Sequence, residues 1–241
     1  MTDRQTTALI KQFEVIGETV PGWCPPDQML ALYLLALTQR DLPGDIIEIG
    51  SWCGRSALAL GRAAQATATQ LHCIDLFPGK DDWHQDEKGD FFVSVRLGDE
   101  VNTGNTVHTT WKAVWLQQIA PVYDRWSTVL DAFNEHVALY NLNHNVTPFK
   151  GSVGSFLKSR DAGFRCKLAF IDGSHDAADV RADLKAVERI FVPGAWVCFD
   201  DAFSSAAGVD EVIRADVLSN PAYTDAQQLT RKLFVARFRG R

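Results

Sequence analysis

From residue 45 onward, short apolar runs alternate with amphipathic ones. That alternation predicts an α/β fold: a mostly parallel, doubly wound sheet with helices on both faces. Two further observations support the class. A glycine-rich turn follows the first predicted strand, and three later strands end in acidic residues.

Residues 1–25 are mixed, with Pro21-Gly22 and Pro25-Pro26 as breakers. Pro26-Asp27 opens a helix carrying the run 29–37, apolar nearly all round, which predicts either full burial or sharing with a second subunit. Pro43-Gly44 closes this N-terminal helical segment, 1–44. The domain proper, 45–241, begins with a strand at 46–49, a turn at 50–54 and an alanine-rich helix at 56–65. A second strand, 71–74, ends in Asp75. A strand at 146–149, a short helix at 152–159 and a strand at 168–171 follow. The helix at 177–190 is the clearest in the chain. Val180, Leu184, Val187 and Phe191 recur at spacings of three and four, with Arg181, Asp183, Lys185 and Glu188 on the other side. Pro193-Gly194 is expected to stop it, and a strand at 195–199 leads into Asp200-Asp201. A helix at 209–218 and a strand at 232–238 complete the expectation.

About seventy residues separate Asp75 from Val146, far more than one crossover helix needs. A helix at 133–142 supplies the crossover, leaving 78–130 as an insertion. It holds four of the seven tryptophans (Trp83, Trp111, Trp115, Trp126), with His84, His108 and a polar loop at 98–105. Trp111 and Trp115 stand one helical turn apart. The region reads equally as a small satellite core or as a substrate-facing wall.

The chain has 241 residues and 46% hydrophobic content, enough for one large core. A net charge of −6 offers no basic field for a nucleic-acid partner. The closing Arg231-Lys232…Arg237…Arg239…Arg241 reads as a solvated face and tail. The five cysteines are odd in number and lack metal or redox spacing, which predicts reduced core residues in a cytoplasmic protein. The longest apolar run is too short to span a bilayer, so no membrane association is expected.

The turn Glu48-Ile-Gly-Ser-Trp-Cys-Gly-Arg-Ser56 is the first feature with chemical content. A dinucleotide needs bare backbone at the second glycine position, where this chain has Trp52. An acid-x-Gly-x-x-x-Gly turn suits instead a nucleoside with an amino-acid tail, such as S-adenosylmethionine. Asp75, ending the second strand, is placed to accept hydrogen bonds from ribose hydroxyls. At the other rim position Asp172-Gly-Ser-His175 precedes Asp200-Asp201. Three crowded carboxylates repel unless a cation sits among them, which points to Mg²⁺ held by Asp172, Asp200 and Asp201. Such an ion would acidify an acceptor hydroxyl, and His175 would take its proton.

These residues, together with Phe170-Ile-Asp-Gly-Ser-His175 and Pro193-Gly-Ala-Trp-Val-Cys-Phe-Asp-Asp201, resemble class I S-adenosylmethionine-dependent methyltransferases. The nearest group is the metal-dependent O-methyltransferases that modify sugars in macrolide biosynthesis, with their cephalosporin-cluster relatives. The resemblance covers roughly 26–202 apart from the insertion. It implies a Rossmann-like, seven-stranded sheet ending in an antiparallel strand. It places Glu48, Gly50, Ser51, Trp52, Gly54 and Ser56 toward the methionine part of the donor, Asp75 at the ribose, Ser152 near the adenine and Asp172 beside the donor. Asp172 and His175 become the catalytic pair. One departure stands out: relatives often carry Glu where this chain has the shorter Asp200. The acceptor expected is a small polyhydroxylated molecule, a sugar or glycosylated natural product. A catechol-type aromatic diol and a non-catalytic S-adenosylmethionine-binding subunit are the alternatives. The apolar helix leaves a homo-oligomer open.

Overall fold

The structure, a computed structural model, describes residues 3–97, 108–110 and 112–240. Trp111, the loop 98–105 and the side chain of His108 lie outside the described residues.

Two helices precede the sheet, α1 (Asp3–Thr19) and α2 (Pro26–Thr38). The sequence reading places no element in the first 25 residues. α1 hides there because its buried apolar residues, Phe13 and Ile16, with Val20 just past its end, stand among polar neighbours. α2 begins with proline, whose missing N–H is not needed in a first helical turn. It buries Met29, Leu32 and Ala36 but leaves Leu34 43% exposed, so its apolar composition does not mean full burial.

Then come β1 (Asp45–Ile49), α3 (Arg55–Ala66) and β2 (Leu71–Asp75). The long connection contains a small antiparallel sheet of β3 (Trp83–Gln85), β4 (Phe91–Val93) and β5 (His108–Thr110). A helical run follows, made of α4 (Lys112–Val114), a π-helical stretch at Trp115–Ile119 and α5 (Ala120–Arg125). The crossover helix α6 (Val129–Leu139) starts four residues earlier than expected, because Thr128 and Asp131 form a reciprocal capping box. The chain continues with β6 (Val146–Lys150), α7 (Val153–Lys158), β7 (Cys166–Ile171), α8 (Ala177–Glu188) and β8 (Phe191–Phe199). It ends with α9 (Ala207–Val212), a π-helical stretch at Ile213–Leu218, β9 (Tyr223–Gln228) and β10 (Phe234–Phe238).

Seven strands form one sheet in the order β6-β2-β1-β7-β8-β10-β9. The first five are parallel, and β10 runs antiparallel to both its neighbours. The fold is the Rossmann-like, doubly wound sheet expected. Because the strands alternate sides, Ile46, Leu168, Phe170 and Cys198 pack into one core with α1, α2, α3 and α6. Ile47, Ala169, Ile171, Val197 and Phe199 pack into a second core with α7, α8 and α9. Strand order reverses about β1, which lies between β2 and β7, so the carboxyl ends of these strands open a crevice.

Two expectations need correcting. Pro193-Gly194 does not stop α8, which ends at Glu188; both residues lie inside β8, and Phe191 begins that strand instead of closing the helical stripe. The register jumps there, from Cys166 opposite Phe191 to Leu168 opposite Trp196, and Gly194 at φ 92 absorbs the irregularity. β9 carries mostly exposed side chains and has no apolar alternation to reveal it. All five cysteines are free and buried, as expected. Among the described residues, no helix is long and apolar enough to cross a membrane.

Candidate active site

Backbone hydrogen bonds continue past the strand ends and align four loops at one rim. The N–H of Gly151 donates to the Asp75 carbonyl (2.9 Å), Gly50 to Ile74 (2.8 Å), Asp172 to Ile49 (2.8 Å) and Asp200 to Ile171 (3.0 Å). Above this rim lies a cleft of about 1090 Å³, large enough for a nucleoside-sized ligand and a second small molecule. Gly50, Ser51, Trp52, Ser56, Asp75, Ser152, Asp172, His175, Asp200 and Asp201 all line it.

At the donor end, the turn after β1 is locked by Asp75. The N–H of Trp52 donates to Asp75 Oδ2 at 2.9 Å and that of Phe77 to Oδ1 at 2.5 Å. Burial raises the Asp75 pKa above the ordinary carboxylate value, and these backbone donors partly offset it. The carboxylate has four lone pairs in all, so acceptor capacity is left for a ligand hydroxyl. Gly50 adopts φ 89, and a Cβ there would lie 2.0 Å from the Asp172 carbonyl oxygen. The close approach that demands glycine is therefore between two strand ends, not between backbone and ligand. Gly54 (φ 95) caps α3 against the ring of Phe133.

Glu48 departs from expectation. It is fully buried on the α3 face of β1 and does not line the cleft. Burial raises its pKa; Ser51, Ser56 and Cys73 pull the other way, although neither carboxyl oxygen has a hydrogen bond of ordinary geometry. Its place beneath the turn makes it a support for Ser51 and Ser56. The cleft itself retains unpartnered polar atoms, Ser51 Oγ and Trp52 Nε1. The Trp52 ring lies between those of Trp23 and Trp83, with centroids 5.7 and 6.4 Å away, and Trp83 in turn packs on Trp115. Trp23, Trp52 and Trp83 line the cleft together, so the N-terminal segment and the insertion share one wall of it. Arg55 also lines the cleft, with Nε donating to the Val20 carbonyl at 2.7 Å.

At the other end, Asp172, Asp200 and Asp201 each offer an oxygen within 4.8 Å of the others. Successive strand residues point to opposite faces, so Asp200 and Asp201 would normally diverge. Asp201 instead takes φ 51, a left-handed conformation uncommon outside glycine, and turns its carboxylate back beside Asp200. His175 Nε2 lies 2.9 Å from Asp201 Oδ2. That bond, foremost, raises the His175 pKa and lowers that of Asp201. Burial, then the neighbouring Asp200 charge, raises Asp172 well above the ordinary range.

Two partners of this cluster escape sequence reading. Gln28, fully buried on α2, donates through Nε2 to Asp200 Oδ1 at 2.6 Å. Lys232, expected on a solvated tail, is buried, and its Nζ lies 2.6 Å from Asp200 Oδ2 and 3.4 Å from Asp201 Oδ1. Burial alone would lower the Lys232 pKa, but Asp200, Asp172 and Asp201 outweigh it and hold the ammonium above the usual lysine value. Both oxygens of Asp200 and both of Asp201 thus already accept hydrogen bonds, and an ammonium supplies the positive charge that the carboxylates need. A divalent ion at this cluster would have to share the Asp200 and Asp201 carboxylates with that ammonium.

A methyltransferase-domain family matches residues 47–202, more than half of the chain. No curated protein matches it by sequence. Among solved structures, the chain is similar to an O-methyltransferase from Bacillus cereus in complex with SAH, at 15% identity and TM-score 0.57 over 99% of this chain and 91% of that one. It is also similar to a putative O-methyltransferase from Klebsiella pneumoniae, at 17% identity and TM-score 0.59 over 100% and 92%. A third is CalS11, described as a TDP-rhamnose 3'-O-methyltransferase of calicheamicin biosynthesis, at 17% identity and TM-score 0.52 over 98% and 96%. At these identities the likeness carries the fold. The family match carries the class: the chain belongs to the methyltransferase-domain family. With this sheet and this rim it is a class I, S-adenosylmethionine-dependent methyltransferase.

Proposed function

We propose that the protein methylates a hydroxyl oxygen of a small polyhydroxylated acceptor, a sugar or glycosylated natural product. The observation that carries this reading is the His175–Asp201 pair at the cleft, on the same rim as the donor turn. An alcohol is a poor nucleophile at neutral pH, so its proton must leave as it attacks. Asp201 accepts from His175 Nε2–H, which leaves Nδ1 as the basic nitrogen. In the proposed step the acceptor oxygen attacks the sulfonium methyl, the carbon–sulfur bond breaks with its electrons going to sulfur, and Nδ1 takes the hydroxyl proton. The turn at Gly50–Gly54, Asp75 and Ser152 would hold the donor, and Asp172 would border it.

CalS11 supports the sugar class by its described substrate, TDP-rhamnose. The wall of Trp23, Trp52 and Trp83 suits the flat face of a sugar, and it gives a catechol-type acceptor its own support. The five buried thiols fit a reducing, cytoplasmic setting. The Mg²⁺ expected beside Asp172, Asp200 and Asp201 has no part in this reading, since the Lys232 ammonium already pairs with Asp200 and Asp201.

The test is incubation with methyl-labelled S-adenosylmethionine and a panel of nucleotide sugars, glycosides and catechols. Label is expected on an oxygen of a sugar. Label appearing only on nitrogen or carbon acceptors would contradict oxygen transfer, and label confined to catechols would select the aromatic class.

A further inference from the structure

We infer that Lys232 is the built-in cation of the Asp172–Asp200–Asp201 cluster, and that this methyltransferase therefore works without a divalent metal. The inference deepens the proposed function, because it says how the acidic rim is held ready for methyl transfer.

Four features make Lys232 a fixed component rather than a passing contact. Its backbone carbonyl accepts from the Ala202 N–H at 2.9 Å, which ties it to the chain just beyond the acidic pair. The antiparallel register pairs Phe234 with Phe199, so continuing it by two residues sets Lys232 opposite Asp201. Its side chain is only 11% exposed and meets both acids. Finally, the remaining oxygens are taken from two other directions, Asp200 Oδ1 by Gln28 of α2 and Asp201 Oδ2 by His175.

A divalent ion entering this arrangement would have to share carboxylates with an ammonium a few ångströms away. Like charges at that separation repel, and Mg²⁺ demands near-ideal octahedral geometry from carboxylates that Lys232 and Gln28 hold in other directions. The short Asp200 fits this picture, because its two oxygens meet Gln28 and Lys232. Lys232 is thus a positioning residue: it holds Asp201, and Asp201 holds His175.

The direct readout is uptake of Mn²⁺, followed by the fall of the free-ion electron paramagnetic resonance signal, and it needs no acceptor. The native protein is expected to leave the signal unchanged at equimolar concentrations. Lys232→Ala, with the Asp200 and Asp201 carboxylates released beside Asp172, is expected to take up one ion per chain, and Lys232→Arg none. Stoichiometric uptake by the native protein, abolished by Asp172→Asn, would overturn the inference. Absence of uptake by a folded Lys232→Ala protein would overturn it as well, since Lys232 would then not be what keeps a metal out. If Lys232→Ala fails to fold, the native titration decides alone. Native turnover is also expected to stay within about twofold after thorough chelation; a loss of tenfold or more, restored by Mg²⁺, would contradict the inference. Failure to bind S-adenosylmethionine would instead strike the proposed function and leave the Mn²⁺ result standing.

Discussion

His175 Nε2 lies 2.9 Å from Asp201 Oδ2, and the Asp201 carboxylate reaches it only because the Asp201 backbone turns left-handed at φ 51. The pair orients the imidazole and sets its basicity. If His175 takes the acceptor proton, His175→Ala should lower kcat at least ~100-fold while leaving S-adenosylmethionine affinity unchanged. Single-turnover kinetics and calorimetry on the same protein would check both halves.

The same pair gives a pH dependence with a definite sign. His175 must be neutral to accept a proton, and Asp201 raises its pKa, so turnover should fall on the acid side as His175 becomes protonated. In Asp201→Asn the anchoring charge is gone and the His175 pKa drops. The acid limb of the kcat profile should move to lower pH, while the orienting loss lowers the plateau. An acid limb that stays in place would assign it to another group.

Gly50 tests the architecture rather than the chemistry. In Gly50→Ala the new Cβ would lie 2.0 Å from a backbone oxygen of β7's exit, at a φ of 89 that alanine avoids. A loss of about 3 kcal/mol or more in unfolding free energy is expected from denaturant titration, the size reserved for strained or overpacked positions.

Asp75 separates donor binding from catalysis. Asp75→Ala removes the acceptor for the Trp52 and Phe77 N–H groups and any bond to the ribose. Charged hydrogen bonds of this kind contribute about 1.5–3 kcal/mol, so S-adenosylmethionine affinity should fall roughly 10- to 100-fold in calorimetry.

Much of this architecture was legible in the sequence. The strands Leu71, Leu168 and Trp196 belong to, and the acids that end them, follow from apolar runs of the right length closed by carboxylates. Asp172, Asp200, Asp201 and His175 converge because parallel strands finish at one rim. What stayed hidden depends on long-range register. Lys232 joins the cluster only because β10 pairs antiparallel with β8, and nothing local distinguishes it from its exposed neighbour Arg231. Gln28 reaches Asp200 across 172 positions of chain, from a helix whose composition spoke of burial or of a second subunit and not of a polar contact. Glu48 erred in the other direction: motif position suggested a ligand contact, whereas strand alternation turns its side chain into the α3 face.

The central claim is that the rim of β1, β2 and β6 holds S-adenosylmethionine. Calorimetric titration of the native protein with S-adenosylmethionine and, separately, with NAD tests it most directly. The structure predicts one donor site per chain for S-adenosylmethionine and no measurable heat with NAD, because Trp52 stands where a pyrophosphate would need bare backbone. Binding of NAD with none of S-adenosylmethionine would contradict it.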